Sequence, residues 1–140
     1  MPQRLFLSAC PALHVRQQPA PRISHLTDEE FLGEIATRFG APREVLASEE
    51  VRDTVLPALR ADLLVAESYR YAHEPPLDVP ISSFGAWGDP EVSQEEAEAW
   101  RQQTTAGFRL RMLPGNHFFL AAERRQLHQA ILEDLPPQFP

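Results

Sequence analysis

The sequence lacks several features on which whole classes of protein depend. It has one cysteine, Cys10, which excludes an internal disulfide framework and a cysteine-based zinc site. It has no uncharged apolar run of about 18 residues, so no membrane span is expected. It has no lysine, and its 13 arginines stand against 20 acidic residues, which gives a net charge of −7. Phosphate binding needs a basic face, so we expect no nucleic-acid partner. The missing apolar run predicts no membrane partner, and the single cysteine favours a reducing cytoplasm.

Short apolar runs alternate with helical patterns along the chain. The 140 residues, 43 % apolar and 24 % charged, are ordinary for one soluble domain. Three runs have the length and composition of buried strands: residues 4–9, 79–86 and 108–113. Strands that alternate with helices imply parallel pairing with right-handed crossovers. The sequence therefore predicts an α/β fold with about three parallel strands and flanking helices.

Two capping boxes mark where helices begin. Thr27 and Ser93 are hydroxyl N-caps, and each is followed three residues later by a glutamate. The first helix is expected to end at Gly40, and the second at about Gln103. A last helix is predicted over residues 119–134, and residues 136–140 are expected to be a frayed tail.

The segment between the first two strands is too long for a simple crossover. Its helical pattern from Glu49 to Ala72 contains Pro57, where either the helix kinks or a new helix begins. We interpret residues 27–72 as a helical lid insertion. Some of its side chains are candidates either for an acyl pocket or for ordinary helix contacts: Phe31, Phe39, Leu63, Tyr69 and Tyr71.

Two polar residues lie where chemistry collects in parallel sheets, at the carboxyl ends of strands. Asp89 follows the second predicted strand, and His117 follows the third. If these strands are neighbours, both loops leave the same edge and Asp89 reaches the His117 ring. A carboxylate that orients an imidazole is the supporting half of a nucleophilic triad. Two alternatives remain open, in which Asp89 is only a turn residue and His117 only caps a helix.

Several segments between Arg4 and Asp134, taken in the order in which they occur, resemble the C-terminal half of a type II thioesterase. Enzymes of this family are the stand-alone editing enzymes of nonribosomal peptide and polyketide assembly lines. The most specific motif is Pro-Gly-Asn-His-Phe-Phe-Leu at residues 114–120. Residues 8–14 are similar to the family's S-G-R-x-A-P-H segment. This chain departs from that segment at Ala9, Cys10 and Leu13. Further similar segments lie at residues 56–62, 67–71, 76–81 and 89–92.

The resemblance implies an α/β-hydrolase fold and hydrolysis of acyl thioesters. Asp89 and His117 would be the acid and the base of the triad, with no cofactor and no metal. The substrate would be an acyl group on the phosphopantetheine arm of a carrier protein. Carrier proteins of this kind are usually acidic, so binding would need arginine clusters such as Arg109/Arg111 or Arg124/Arg125.

The nucleophile of such an enzyme is missing, because the sequence contains no Gly-x-Ser-x-Gly. The resemblance implies that roughly 100 residues would precede Met1, carrying the serine and the oxyanion hole. Cys10 is a poor substitute, since Pro11 has no N–H to donate to an oxyanion. Three alternatives stay open: a non-catalytic module that docks carrier proteins or a synthase, one half of a two-chain hydrolase, and a truncated product or misplaced start codon.

The first strand has no edge protection. Leu5, Phe6 and Leu7 are consecutive apolar residues with no inward-pointing charge. In a complete hydrolase this strand would lie inside the sheet. We therefore expect the chain to self-associate through this edge or to recruit a fragment that carries the serine.

Overall fold

The computed structural model describes residues 2–12, 14–15, 21–42, 44 and 48–135. These form two compact units, one within residues 1–16 and 73–140 and the other within residues 17–72. The second unit contains the predicted insertion. The predicted tail at residues 136–140 lies outside the described residues.

The first unit is built on a three-stranded parallel sheet. Its strands are β1 (Leu5–Ser8), β2 (Ile81–Ala86) and β3 (Phe108–Leu113), in the order β1-β2-β3. Every residue of the central strand β2 is buried. Burial on both faces is expected for the central strand of a parallel sheet that helices cover, and here it includes the hydroxyl residues Ser82 and Ser83. The three predicted parallel strands are confirmed.

The unit of residues 17–72 contains two helices. Helix α1 (Asp28–Phe39) begins at the Thr27 capping box, with both of its hydrogen bonds formed, and ends at Gly40 in a left-handed conformation. Helix α2 (Leu56–Ser68) follows a π-helical turn at Val51–Val55. Pro57 lies in the first turn of α2, directly after the π-helical turn, at a position where a helix tolerates proline. The expected end at Ala72 is wrong, because α2 ends at Ser68.

Two charged side chains of α2 hold the segment that leads into α1. Glu67 accepts hydrogen bonds from the backbone N–H groups of Ile23 and Ser24, at 2.7 and 3.1 Å. Burial raises the pKa of Glu67, but these hydrogen bonds and that of the Ser24 hydroxyl outweigh it and hold the pKa below its ordinary value. Arg60 donates to the Leu26 carbonyl oxygen at 2.7 Å, and its guanidinium lies 4.3 Å from the centre of the Phe31 ring.

The sequence names five side chains of the insertion as candidates either for an acyl pocket or for ordinary helix contacts, and the structure decides three of them. Phe31 is fully buried in the core of its unit, and Phe39 and Leu63 pack against that core. For these three the structure shows ordinary helix contacts. Tyr69 is 54 % exposed just beyond the end of α2.

The remaining helices cover the sheet of the first unit. Helix α3 (Gln94–Glu98) begins at the Ser93 capping box and continues as a 3-10 helix through Ala99–Gln103. The single last helix that the sequence predicts is wrong. It is divided into α4 (Phe119–Ala122) and α5 (Arg124–Asp134), because Glu123 leaves helical geometry at φ −101° and ψ 22°.

A buried carboxylate joins α5 to the amino-terminal half of the sheet. Asp134 accepts hydrogen bonds from the Ser82 hydroxyl at 2.7 Å and from the guanidinium groups of Arg109 and Arg111. Arg4 donates to the same hydroxyl at 3.0 Å. Burial raises the pKa of Asp134, but the hydrogen bonds from Arg111 and Ser82 and the two positive charges outweigh it, so the pKa is lowered. One of the predicted arginine clusters is therefore neutralised within the fold.

No helix within the described residues is long and apolar enough to cross a membrane.

Candidate active site

Backbone hydrogen bonds hold together the two loops that leave β2 and β3. The N–H of Trp87 donates to the Leu113 carbonyl oxygen at 3.0 Å, and that of Gly88 donates to the Gly115 carbonyl oxygen at 2.9 Å. A Cβ at Gly88 would lie only 2.9 Å from this oxygen, so a side chain there would push the loops apart. The strands end level with each other, because Ala86 pairs with Leu113. The next residues of both loops therefore lie at the same edge of the sheet.

Asp89 and His117 meet at this edge. The Nδ1 atom of His117 lies 3.0 Å from Oδ2 and 3.2 Å from Oδ1 of Asp89. The Asp89 side chain is fully buried, and that of His117 is 19 % exposed. The contact that the sequence predicts is confirmed.

Asp89 is also a turn residue. Its Oδ1 atom accepts hydrogen bonds from the backbone N–H groups of Glu91 at 2.8 Å and Val92 at 3.2 Å. The turn and the imidazole contact, which the sequence leaves as alternatives, are therefore present together. The turn fixes the carboxylate from one side while its other oxygen faces His117.

The alternative that His117 caps a helix is wrong. The side chain that accepts a backbone N–H at the start of α4 is Asn116, whose Oδ1 binds the N–H of Phe118 at 3.0 Å. The His117 ring instead turns toward Asp89. It also meets the Phe118 ring edge to face, with centroids 5.8 Å apart.

The contact with Asp89 determines where the imidazole proton lies. An ionised carboxylate only accepts hydrogen bonds, so Nδ1 of His117 must carry the proton. The lone pair of the neutral ring is then on Nε2. Such an imidazole takes a proton at Nε2, and the carboxylate stabilises the resulting cation. The pair can therefore act as a general base.

The serines of β2 lie away from this chemistry. Ser82 donates its hydroxyl hydrogen to Asp134 at the other end of the sheet. The hydroxyl of Ser83 is buried and has no hydrogen-bond partner among the described residues. A nucleophile elbow is absent from the sequence itself, which has no Gly-x-Ser-x-Gly.

The backbone after β1 is strained. Ala9 has a φ of 49°, a left-handed conformation that costs about 1 kcal/mol for a residue with a Cβ. The resembling family segment has glycine at this place, and glycine adopts this conformation without that cost. Beyond it, the indole N–H of Trp100 donates to the Cys10 carbonyl oxygen at 2.9 Å.

Sequence reasoning missed two exposed aromatic side chains beside the pair. Trp87, on the Asp89 loop, is 67 % exposed, and Phe118, next to His117, is 50 % exposed. Large exposed apolar groups at a candidate site are a signal of binding. Trp87 and Phe118 lie in the same two loops as Asp89 and His117, so their location just after the strands is a signal that could have identified them. Among the described residues, no group of three or more histidine, cysteine, aspartate and glutamate side chains could hold a metal ion.

Residues 1–139 match the family model described as thioesterase domain. The chain belongs to the thioesterase domain family. It is 41 % identical over 135 residues to the protein named linear gramicidin dehydrogenase LgrE of Brevibacillus parabrevis, covering 94 % of this chain and 51 % of that one. It is 36 % identical over 136 residues to the gramicidin S biosynthesis protein GrsT of Aneurinibacillus migulanus, covering 96 % and 52 %.

A solved structure with the same fold is the type II thioesterase BorB from the borrelidin biosynthetic cluster. It superposes with a TM-score of 0.82 at 37 % identity, covering 94 % of this chain and 53 % of BorB. The parallel sheet and flanking helices of this chain therefore have the α/β-hydrolase fold, as the sequence predicts. The chain spans about half the length of the curated relatives that it matches.

Proposed function

We propose that this thioesterase chain supplies the acid and the base for hydrolysis of acyl thioesters carried on the phosphopantetheine arm of a carrier protein. The observation that carries the proposal is the contact of buried Asp89 with His117 at the carboxyl ends of β2 and β3. Relatives with names from gramicidin and borrelidin biosynthesis support a role in nonribosomal peptide or polyketide pathways. The single cysteine and a carrier-protein substrate support a cytoplasmic location.

The roles of the two residues follow from their geometry. His117 takes the proton of a serine hydroxyl at Nε2 as that oxygen attacks the thioester carbonyl, and the thiol of the arm leaves with this proton. His117 then takes a proton from water as the water oxygen attacks the acyl-serine, and it returns this proton to the serine oxygen as the acid is released. Asp89 orients the ring throughout and stabilises its charged form. The serine comes from polypeptide other than these 140 residues, which hold no nucleophile elbow.

The printed name of the relative LgrE refers to a dehydrogenase, but the residues of this chain fit hydrolysis better than hydride transfer. A dinucleotide-binding turn needs closely spaced glycines that bring the backbone to the pyrophosphate. The six glycines of this sequence do not form a G-x-G-x-x-G motif. No other feature of the described residues favours hydride transfer.

A hybrid enzyme tests the proposal. The part of BorB that precedes the matched region is fused to this chain, and hydrolysis of an acyl-carrier thioester is measured. We expect turnover that falls by roughly 10⁶-fold in His117→Ala, because loss of a triad histidine costs about that much. The matched control is His128→Ala, which changes an exposed histidine of α5 and should leave the rate unchanged. A hybrid whose rate survives His117→Ala would refute the catalytic role.

We propose in addition that β1 pairs through its outer edge. The N–H of Leu5 donates to the carbonyl oxygen of Pro80, just before β2, and that of Ala9 donates to the carbonyl oxygen of Phe84 in β2. The N–H groups of Phe6 and Ser8 therefore point away from β2. No strand among the described residues pairs with this edge. Its partner is a strand of the polypeptide that carries the serine, and without that polypeptide the chain self-associates.

A further inference from the structure

Two arginines at the start of α5 lie on the surface. Arg124 and Arg125 are exposed, and neither forms an ion pair or a side-chain hydrogen bond within the described part of the chain. Arg109 and Arg111 differ, since Asp134 binds both. Of the two arginine clusters that the sequence offers for an acidic partner, only the pair on α5 is available.

The position of this pair works against the stability of its own helix. The N-terminus of a helix carries partial positive charge and favours acidic side chains. The first turn of α5 has none, and its N-cap residue Glu123 makes no capping hydrogen bond. The Glu123 carboxylate instead accepts a hydrogen bond from the Gln126 side chain at 2.6 Å. Side chains that destabilise their own helix and form no ion pair or side-chain hydrogen bond within the described residues are typical of residues retained for binding.

Two exposed apolar side chains lie in the sequence between His117 and this pair. Phe118 is 50 % and Leu120 is 41 % exposed. Both belong to the mostly helical segment that connects His117 to α5, so Arg124 lies within about 15 Å of His117. We call Phe118, Leu120, Arg124 and Arg125 the arginine patch. Protein interfaces commonly combine exposed apolar side chains with arginine.

We propose that the arginine patch docks the acidic surface of the carrier protein whose arm delivers its thioester to His117. This inference rests on the proposed function and names the surface that it uses. The chain has a net charge of −7, so it repels an acidic partner at long range and needs a local positive surface to receive it. The patch offers such a surface beside the imidazole.

The test is a binding titration on the chain itself. The probe is an acidic peptidyl carrier protein whose phosphopantetheine arm bears an acyl amide, which resists hydrolysis. We expect Arg124→Glu with Arg125→Glu to raise Kd about tenfold or more in 50 mM salt, and less as salt is increased. For a matched control, Arg124→Glu alone is compared with Arg52→Glu, which makes the same charge change at an exposed arginine elsewhere. Only the former should raise Kd.

The same variants have a second readout that separates docking from misfolding. Arg124→Glu places a favourable charge at the helix N-terminus, so its melting temperature should rise by about 1 to 4 °C while binding weakens. Equal affinity in the double variant and the wild type would overturn the proposal. So would a loss of self-association in the double variant with unchanged carrier binding, because the occupant would then be a second copy. The His117 dependence of the hybrid enzyme is measured separately, so the proposed function can survive this failure.

Discussion

Replacing Asp89 with asparagine changes the chemistry of the Asp89–His117 pair while keeping its shape. The asparagine Oδ1 can still accept the N–H groups of Glu91 and Val92, so the turn is retained. Its amide nitrogen then replaces Oδ2, 3.0 Å from Nδ1 of His117. An amide NH₂ only donates, so Nδ1 must become the acceptor and the ring proton must move to Nε2.

The size of the tautomer preference follows from the strength of the hydrogen bond between Asp89 and the His117 ring. A hydrogen bond to a charged group is worth about 1.5 to 3 kcal/mol. A value of about 2 kcal/mol favours the tautomer protonated on Nδ1 roughly 30-fold in the wild type. In Asp89→Asn the preference reverses. The free energy of unfolding should change by no more than about 1 kcal/mol, because the backbone contacts of the turn remain.

Nitrogen NMR of histidine measures this reversal directly. Long-range proton–nitrogen spectra at pH 9, above the ordinary range of histidine titration, identify which ring nitrogen carries the proton. We expect Nδ1 in the wild type and Nε2 in Asp89→Asn, with the other histidines as internal references. Asp89→Ala is the control that removes the turn acceptor as well, and it should also destabilise the fold. If His117 in Asp89→Asn stays protonated on Nδ1, the carboxylate does not set the tautomer and the reasoning is refuted.

Three further predictions concern stability and association. Asp134→Asn should lower the free energy of unfolding by about 2 to 4 kcal/mol at pH 7, measured by urea denaturation, because two arginines lose a buried anion. The folded-state pKa of Asp134 is lowered, so this contribution is present above the unfolded value of 3.8 and is lost as the pH falls through the folded value. In thermal melts, Gly88→Ala should destabilise the chain by about 1 to 3 kcal/mol, because its Cβ would collide with the facing loop. The control is Gly33→Ala, which has open space around it in α1 and should stabilise the chain by about 0.5 to 1 kcal/mol. Ser8→Pro removes an outward N–H of β1 and should convert a self-associating chain into a monomer in sedimentation, and an unchanged sedimentation profile would contradict edge pairing.

Features that depend on neighbouring residues were predictable from the sequence. The N-caps Thr27 and Ser93 act through a glutamate three residues later, so local spacing is enough to find them. The strands were predictable for a similar reason, since each is a short run that contains several apolar residues and is bounded by proline or glycine. The left-handed end of α1 at Gly40 follows from the one residue type that adopts it freely.

Features that depend on distant residues were not predictable in this way. The division between α4 and α5 at Glu123 has no proline or glycine to mark it. The engagement of Arg109 and Arg111 depends on Asp134, which pattern reasoning assigned only to the end of a helix. A charge that looks solvent-exposed in a sequence can thus be neutralised by a carboxylate more than twenty residues away. This is why the choice between the two arginine clusters needed the structure.

The candidate site combines both kinds of information. Pattern reasoning placed Asp89 and His117 after two strands, but their contact depended on those strands being neighbours in register. The structure supplies the register, and the hydrogen bond from Gly88 to Gly115 continues it one step beyond the strands. Because a Cβ at Gly88 would collide with that carbonyl oxygen, the loops can approach closely only with glycine there. The distance between the carboxylate and the imidazole is therefore set by backbone contacts of residues that take no part in the chemistry.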